Sequence, residues 1–175
     1  MSREGTARFD GDNAVLRFER RLGQPPERVW SAITDPAEIE AWWGRADVDP
    51  RPGGTMRIEW LNGDVTMPAT ITEFDPPRVL EIEGEPHGVL RFELAPDGDG
   101  TLLTFVARSA IPEDFRSKVL AGWHFHLDAL EDLVDRGTRI DWPNWPLDRW
   151  QAIHDELYSG ELDSERQSNR HAAER

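Results

Sequence analysis

Residues 112–137 read PEDFRSKVLAGWHFHLDALEDLVDRG, and their period decides the architecture. At about 100° per residue, Val119, Leu120, Leu127, Leu130 and Val134 all fall within about 60° of Trp123 around a helix. That is one apolar face on a helix of roughly six turns. Pro112 followed by Glu113 and Asp114 suits its start, and Gly137 suits its end. Such a helix must bury its face against another layer.

The layer lies upstream. Residues 14–22, AVLRFERRL, alternate, with Leu16 and Phe18 on one side and Arg17, Glu19 and Arg21 on the other. The same alternation runs through TMRIEWL (55–61), RVLEIEGE (78–85) and GVLRFELA (88–95), and TLLTFVARS (101–109) is the last strand. VTMPATITEF (65–74) is a further strand, with Pro68 marking an edge or a bulge. Asp75-Pro76-Pro77 and the run from Pro96 to Gly100 are turns. Short strands joined by tight turns predict an antiparallel meander rather than βαβ units. Between the first two strands, 23–34 and 35–43 read as two short helices. Asp35 is at an N-cap position with Glu38 at capping-box spacing, and Gly44 is a C-cap. The fold class is therefore α+β: a curved antiparallel sheet of about seven strands, a long C-terminal helix, and two short helices after strand 1.

The boundaries follow from composition. Residues 1–12 read as a loose N-terminus and 13–137 as the domain. Residues 138–160 are a Trp-rich extension with a short helix, carrying Trp142, Trp145 and Trp150, and 161–175 read as a disordered tail. The 175 residues suit one domain. Thirty-four acids against twenty bases give a net charge of −14, which repels nucleic-acid phosphates and anionic membranes. Lys118 is the single lysine among those twenty bases. With no cysteine, thiolate catalysis and Cys-ligated metals are excluded. No signal-peptide pattern or membrane-length apolar run is visible, so the expectation is a cytoplasmic protein.

Several short stretches, taken in order, resemble one superfamily. They are Pro25-Pro26-Glu27-Arg28-Val29-Trp30 through Thr34-Asp35-Pro36, then Ala41-Trp42-Trp43-Gly44, then Arg51-Pro52-Gly53-Gly54. Glu73-Phe74-Asp75-Pro76-Pro77-Arg78 and Gly122-Trp123 through Leu127, Leu130 and Leu133 complete the set. This order resembles the START / polyketide-cyclase / birch-pollen-allergen (SRPBCC) superfamily, in the branch of the activator of heat-shock protein 90 ATPase. The resemblance covers about residues 14–137 and leaves out the Trp-rich extension. It implies a helix-grip fold, with a cavity between sheet and long helix.

The candidate ligand-binding residues are Trp30, Trp42, Trp43, Ile58, Trp60, Met67, Leu80, Phe92, Phe105, Trp123, His126, Leu127 and Leu130. Met56 is a further lining candidate. Each also fits a plain core position. Trp42 and Trp43, adjacent on a helix, cannot both face one core, so one belongs at a mouth or under a loop. His124 and His126 lie about 200° apart on the helix and cannot grip one metal. His126 sits about 60° from the apolar face, within reach of a cavity as a polar contact or general base, while His124 lies at the flank. Arg20 shares the inward parity of Leu16 and Phe18; it either reaches water at the strand end or needs an anion. Gly53-Gly54 lacks the spacing of a phosphate loop. Phe125 points away from the sheet, and residues 140–158 are expected to cover it, on this chain or on a second copy, leaving the cavity untouched.

The functional expectation is binding of a small hydrophobic or aromatic molecule, with no metal and no cofactor. Two alternatives remain. One is a polyketide cyclase/aromatase-like enzyme, for which the sequence assembles no acid–base pair. The other is a co-chaperone-like module, with a homodimer or a protein partner held through the Trp-rich extension.

Overall fold

A row of large side chains crosses the sheet and explains why it closes on the long helix. The computed structural model describes residues 3–61, 63 and 65–160; the tail expected at 161–175 lies outside them. Among the described residues the strands are β1 (Thr6–Asp10), β2 (Asn13–Leu22), β3 (Arg45–Val48), β4 (Thr55–Trp60), β5 (Val65–Asp75), β6 (Val79–Gly84), β7 (Gly88–Asp97) and β8 (Gly100–Ala110). They form one antiparallel sheet in the order β1-β2-β8-β7-β6-β5-β4-β3. The short helices α1 (Pro26–Thr34) and α2 (Pro36–Ile39) follow β2. The long helix α3 (Arg116–Arg136) follows β8 after a 3₁₀ turn at Glu113–Phe115. This is the helix-grip α+β fold.

Phe18 pairs with Phe105, Phe105 with Phe92, Phe92 with Leu80, and Leu80 with Phe74. Because strand side chains alternate in direction, this register puts four aromatic rings and a leucine on one face. Phe18, Phe92, Phe105 and Leu80 are buried there. Trp123 of α3 lies across Phe105, ring centroids 4.5 Å apart. On the opposite face Glu73 and Glu81 are directly paired, a like-charge arrangement that alone destabilises a sheet. Arg91, next across β7, offsets it by reaching Glu73 at 2.5 Å, Glu81 at 3.1 Å and Glu93 at 2.6 Å.

The sheet has eight strands rather than about seven, and the loose N-terminus holds one of them. β1 and β3 are the two edges; they are short and only half-buried on alternate residues, so neither carries a strong apolar alternation. Asp35 caps α2 as expected, accepting from the Ala37 amide at 2.9 Å, but Glu38 pairs with Arg28 instead of closing a capping box. Gly137 ends α3 at φ 71°. Gly44 is not a left-handed cap. A side chain there would lie 2.5 Å from the carbonyl oxygen of Glu59, so the glycine allows the chain to pass against β4.

Candidate functional site

Residues one and two turns apart along α3 form the floor of a mostly apolar cavity. Lys118, Val119, Gly122, Trp123 and His126 follow helical spacing on one side of α3. Trp60, the last residue of β4, closes one wall. Beyond Gly137 the extension turns back along α3. It forms a 3₁₀ turn at Trp142–Asn144, the helix α4 (Leu147–Ile153) and a wide turn at His154–Tyr158. Its Trp145, Leu147 and Trp150 supply the opposite wall. The cavity measures about 390 Å³, within the range of small-molecule sites.

His126 is the buried polar group of this cavity. Its ring stacks on Trp60, centroids 5.6 Å apart and 16° from parallel. Nδ1 lies 2.8 Å from the carbonyl oxygen of Trp42. A carbonyl can only accept, so Nδ1 carries the hydrogen and Nε2 of the neutral ring carries the lone pair. Burial pushes this imidazole down to about 4, outweighing the Trp42 hydrogen bond, which favours the charged form. The ring is therefore neutral at pH 7.

Between the unfolded value near 6.5 and the folded value of about 4 the unfolded chain binds the extra proton. The neutral ring's contribution is complete above pH 6.5, falls as the pH drops towards 4, and stays lost below. The shift amounts to about 3 kcal/mol. Urea unfolding from pH 7 to pH 4 should show wild type losing that much more stability than His126→Leu, whose side chain cannot titrate. A constant difference between the two proteins over this range would overturn the assignment.

Of the residues expected to bind ligand, Trp60, Trp123 and His126 line this cavity. The others lie elsewhere. Ile58, Met67, Leu80, Phe92 and Phe105 are buried on the inner face of the sheet, with Met56 beside them. Leu127 and Leu130 are buried on α3 itself. Trp30 is half-buried against Phe74, centroids 5.2 Å apart. Trp42 and Trp43 are both fully buried, against expectation. α2 ends at Ile39, so the pair lies in the following turn and is free of the helical constraint. The two rings stack at 5.2 Å, and Trp42 Nε1 donates to the Ala32 carbonyl at 2.9 Å.

The extension does cover Phe125, which is buried with Trp145 at 4.8 Å, and it does so on its own chain's helix. It does not leave the cavity untouched, because it builds one wall. Periodicity on α3 could not reveal Trp145, Leu147 and Trp150 as lining residues, since they follow a helix-ending glycine in a separate segment. Tyr158 anchors the end of the extension. Its hydroxyl accepts from the Gly5 amide at 2.9 Å and meets His124 Nδ1 at 2.8 Å. Of the two settings a flank histidine allows, solvated or hydrogen-bonded, His124 takes the second, and it is buried.

Arg20 is likewise buried and does not reach water. It donates to the carbonyls of Arg3 at 2.7 Å and Glu19 at 3.0 Å, and to Asp128 at 3.2 Å. No group of three or more His, Asp or Glu suited to a metal occurs among the described residues. No helix among them is long and apolar enough to cross a membrane.

The family model described as activator of Hsp90 ATPase homolog 1-like protein matches residues 24–135, from just before α1 to the last turn of α3. Among solved structures, CalU16 from Micromonospora echinospora is similar with a TM-score of 0.68 at 24% identity, over 93% of this chain and 98% of its own. That coverage takes in part of the extension, which the family match leaves out. DynU16, from the dynemicin biosynthetic locus, gives a TM-score of 0.63 at 22% identity over 75% of this chain and 51% of its own. The Aha1 dimer from Colwellia psychrerythraea gives 0.60 at 19% identity over 70% of this chain and 97% of its own. These likenesses are likenesses of fold. No curated protein matches the chain.

Proposed function

This chain belongs to the activator of Hsp90 ATPase homolog 1-like family, and on that premise we propose that it binds a hydrophobic aromatic small molecule between α3, β4 and the extension. The observation that carries the reading is the cavity of about 390 Å³ with four tryptophans in its wall and one neutral imidazole. Indole faces favour flat aromatic partners, in offset or edge-on contact. A few polar groups, the His126 imidazole among them, in mostly apolar walls orient a ligand without making the site hydrophilic. The cytoplasmic location expected from the sequence is part of the same proposal.

Titration with a solvatochromic naphthalene dye tests it. The dye should bind one per chain and quench tryptophan emission. Trp123→Ala should weaken binding about tenfold, the loss of one large stacking surface. Trp123 also packs on Phe105, so Trp150→Ala, on the half-buried wall, is the companion variant. Unchanged dye affinity in both folded variants would sink the proposal.

A further inference from the structure

We propose that the ligand of this cavity is an aromatic acid of at least two fused rings, its carboxylate held by Lys118 and a hydrogen-bond donor at its far end held by His126. This rests on the reading of the cavity as a small-molecule site.

Lys118 is the only charged residue in the lining, and it is the chain's only lysine. In a chain of net charge −14, a lone cation at an apolar cavity is a local exception to a field that repels anions. Asp114, four residues earlier, has the helical spacing of an ion-pair partner. Lys118 does not take it: its ammonium lies 5.4 Å from the centre of the Phe115 ring, and it forms no ion pair among the described residues. Lys118 is exposed at the edge of the cavity, so its charge can be reached by a ligand.

The other end of the site has the opposite demand. His126 Nδ1 faces the Trp42 carbonyl, so Nε2 accepts and calls for a ligand O–H or N–H. Lys118 and His126 are eight residues apart on one helix, about 12 Å along its axis. A single ring cannot span that; two or more fused rings with substituents at opposite ends can. Gly122 stands midway between them and lines the cavity. A methyl group there would meet nothing closer than Trp150 Nε1 at 3.9 Å, so packing does not demand the glycine. Its effect is a bare stretch of helix between the two polar ends, on which a flat ring system can lie.

The test compares 2-naphthoic acid, its neutral carboxamide and 6-hydroxy-2-naphthoic acid, by calorimetry on the full chain at pH 7. The acid should bind about fivefold more tightly than the amide, and the hydroxy acid more tightly still. In Lys118→Met the acid-to-amide ratio should fall to near one, and in wild type the ratio should shrink as salt is raised. Equal affinities for acid and amide in wild type would overturn the anionic assignment while leaving the aromatic cavity standing. If none of the three binds, the cavity reading itself fails.

Discussion

Ending the chain after Gly137 should cost on the order of 5 kcal/mol of stability and abolish stoichiometric dye binding. Truncation exposes one large apolar side chain and breaks two buried hydrogen bonds. The apolar side chain is Phe125, fully buried beneath Trp145. The hydrogen bonds are those of the Tyr158 hydroxyl to Gly5 and His124. Typical domains have only about 5–15 kcal/mol in hand, so this loss puts folding at risk. The binding effect is separate, because Trp145, Leu147 and Trp150 form one side of the cavity. A Tyr158→Phe variant separates the two. It removes the hydroxyl and keeps the wall, so it should lower stability by about 2 kcal/mol and leave dye stoichiometry at one. Denaturation and dye titration on the two proteins decide it. A truncated protein as stable as the full chain, or one that still binds one dye, would show that the extension is dispensable.

The helix-grip scaffold was readable because its signals are local. The α3 face from Val119 to Val134 follows the helical period, and β2 and the body of β7 alternate because one face meets α3 and the other meets water. Edge strands β1 and β3 escaped the same logic, having little to bury. The cavity was half legible. Trp60, Trp123 and His126 lie on strongly periodic elements, so their inward parity could be read. The partners that turn them into a site, Trp145, Leu147 and Trp150, come from a segment with no period of its own. Their position depends on Gly137 reversing the chain and on anchors distant in sequence, such as Trp142 Nε1 donating to the Glu40 carbonyl at 2.6 Å. Trp42 and Trp43 went wrong for a narrower reason. The helix they were placed on stops three residues before Trp42, and a turn can bury two adjacent rings where a helix cannot.

Asp128→Ala should destabilise the protein by about 3–5 kcal/mol at pH 7, the usual cost of removing one member of a buried ion pair. Arg20 comes from β2 on the inward parity and has only 1% of its surface exposed. Two backbone carbonyls accept from its guanidinium, but Asp128 carries the opposing charge. The same carboxylate meets Arg3 at 2.8 Å and His124 Nε2 at 3.4 Å. Burial alone would push the Asp128 carboxyl up, yet His124, Arg20 and Arg3 outweigh it and hold the group well below the usual carboxylate range. Its stabilising contribution is therefore complete above the ordinary aspartate value and is lost only as the pH falls through the lower folded one. With Asp128 gone, the Arg20 charge stays buried without compensation. Arg20→Met in the Asp128→Ala background removes the stranded charge and fills the same space with an apolar chain. The double variant should recover most of the loss, since apolar replacement of a whole buried pair is often neutral or better. Urea unfolding of wild type, both single variants and the double variant measures the coupling. If Asp128→Ala costs less than about 1 kcal/mol, or if Arg20→Met brings no recovery, the pair is not what holds β2 against α3.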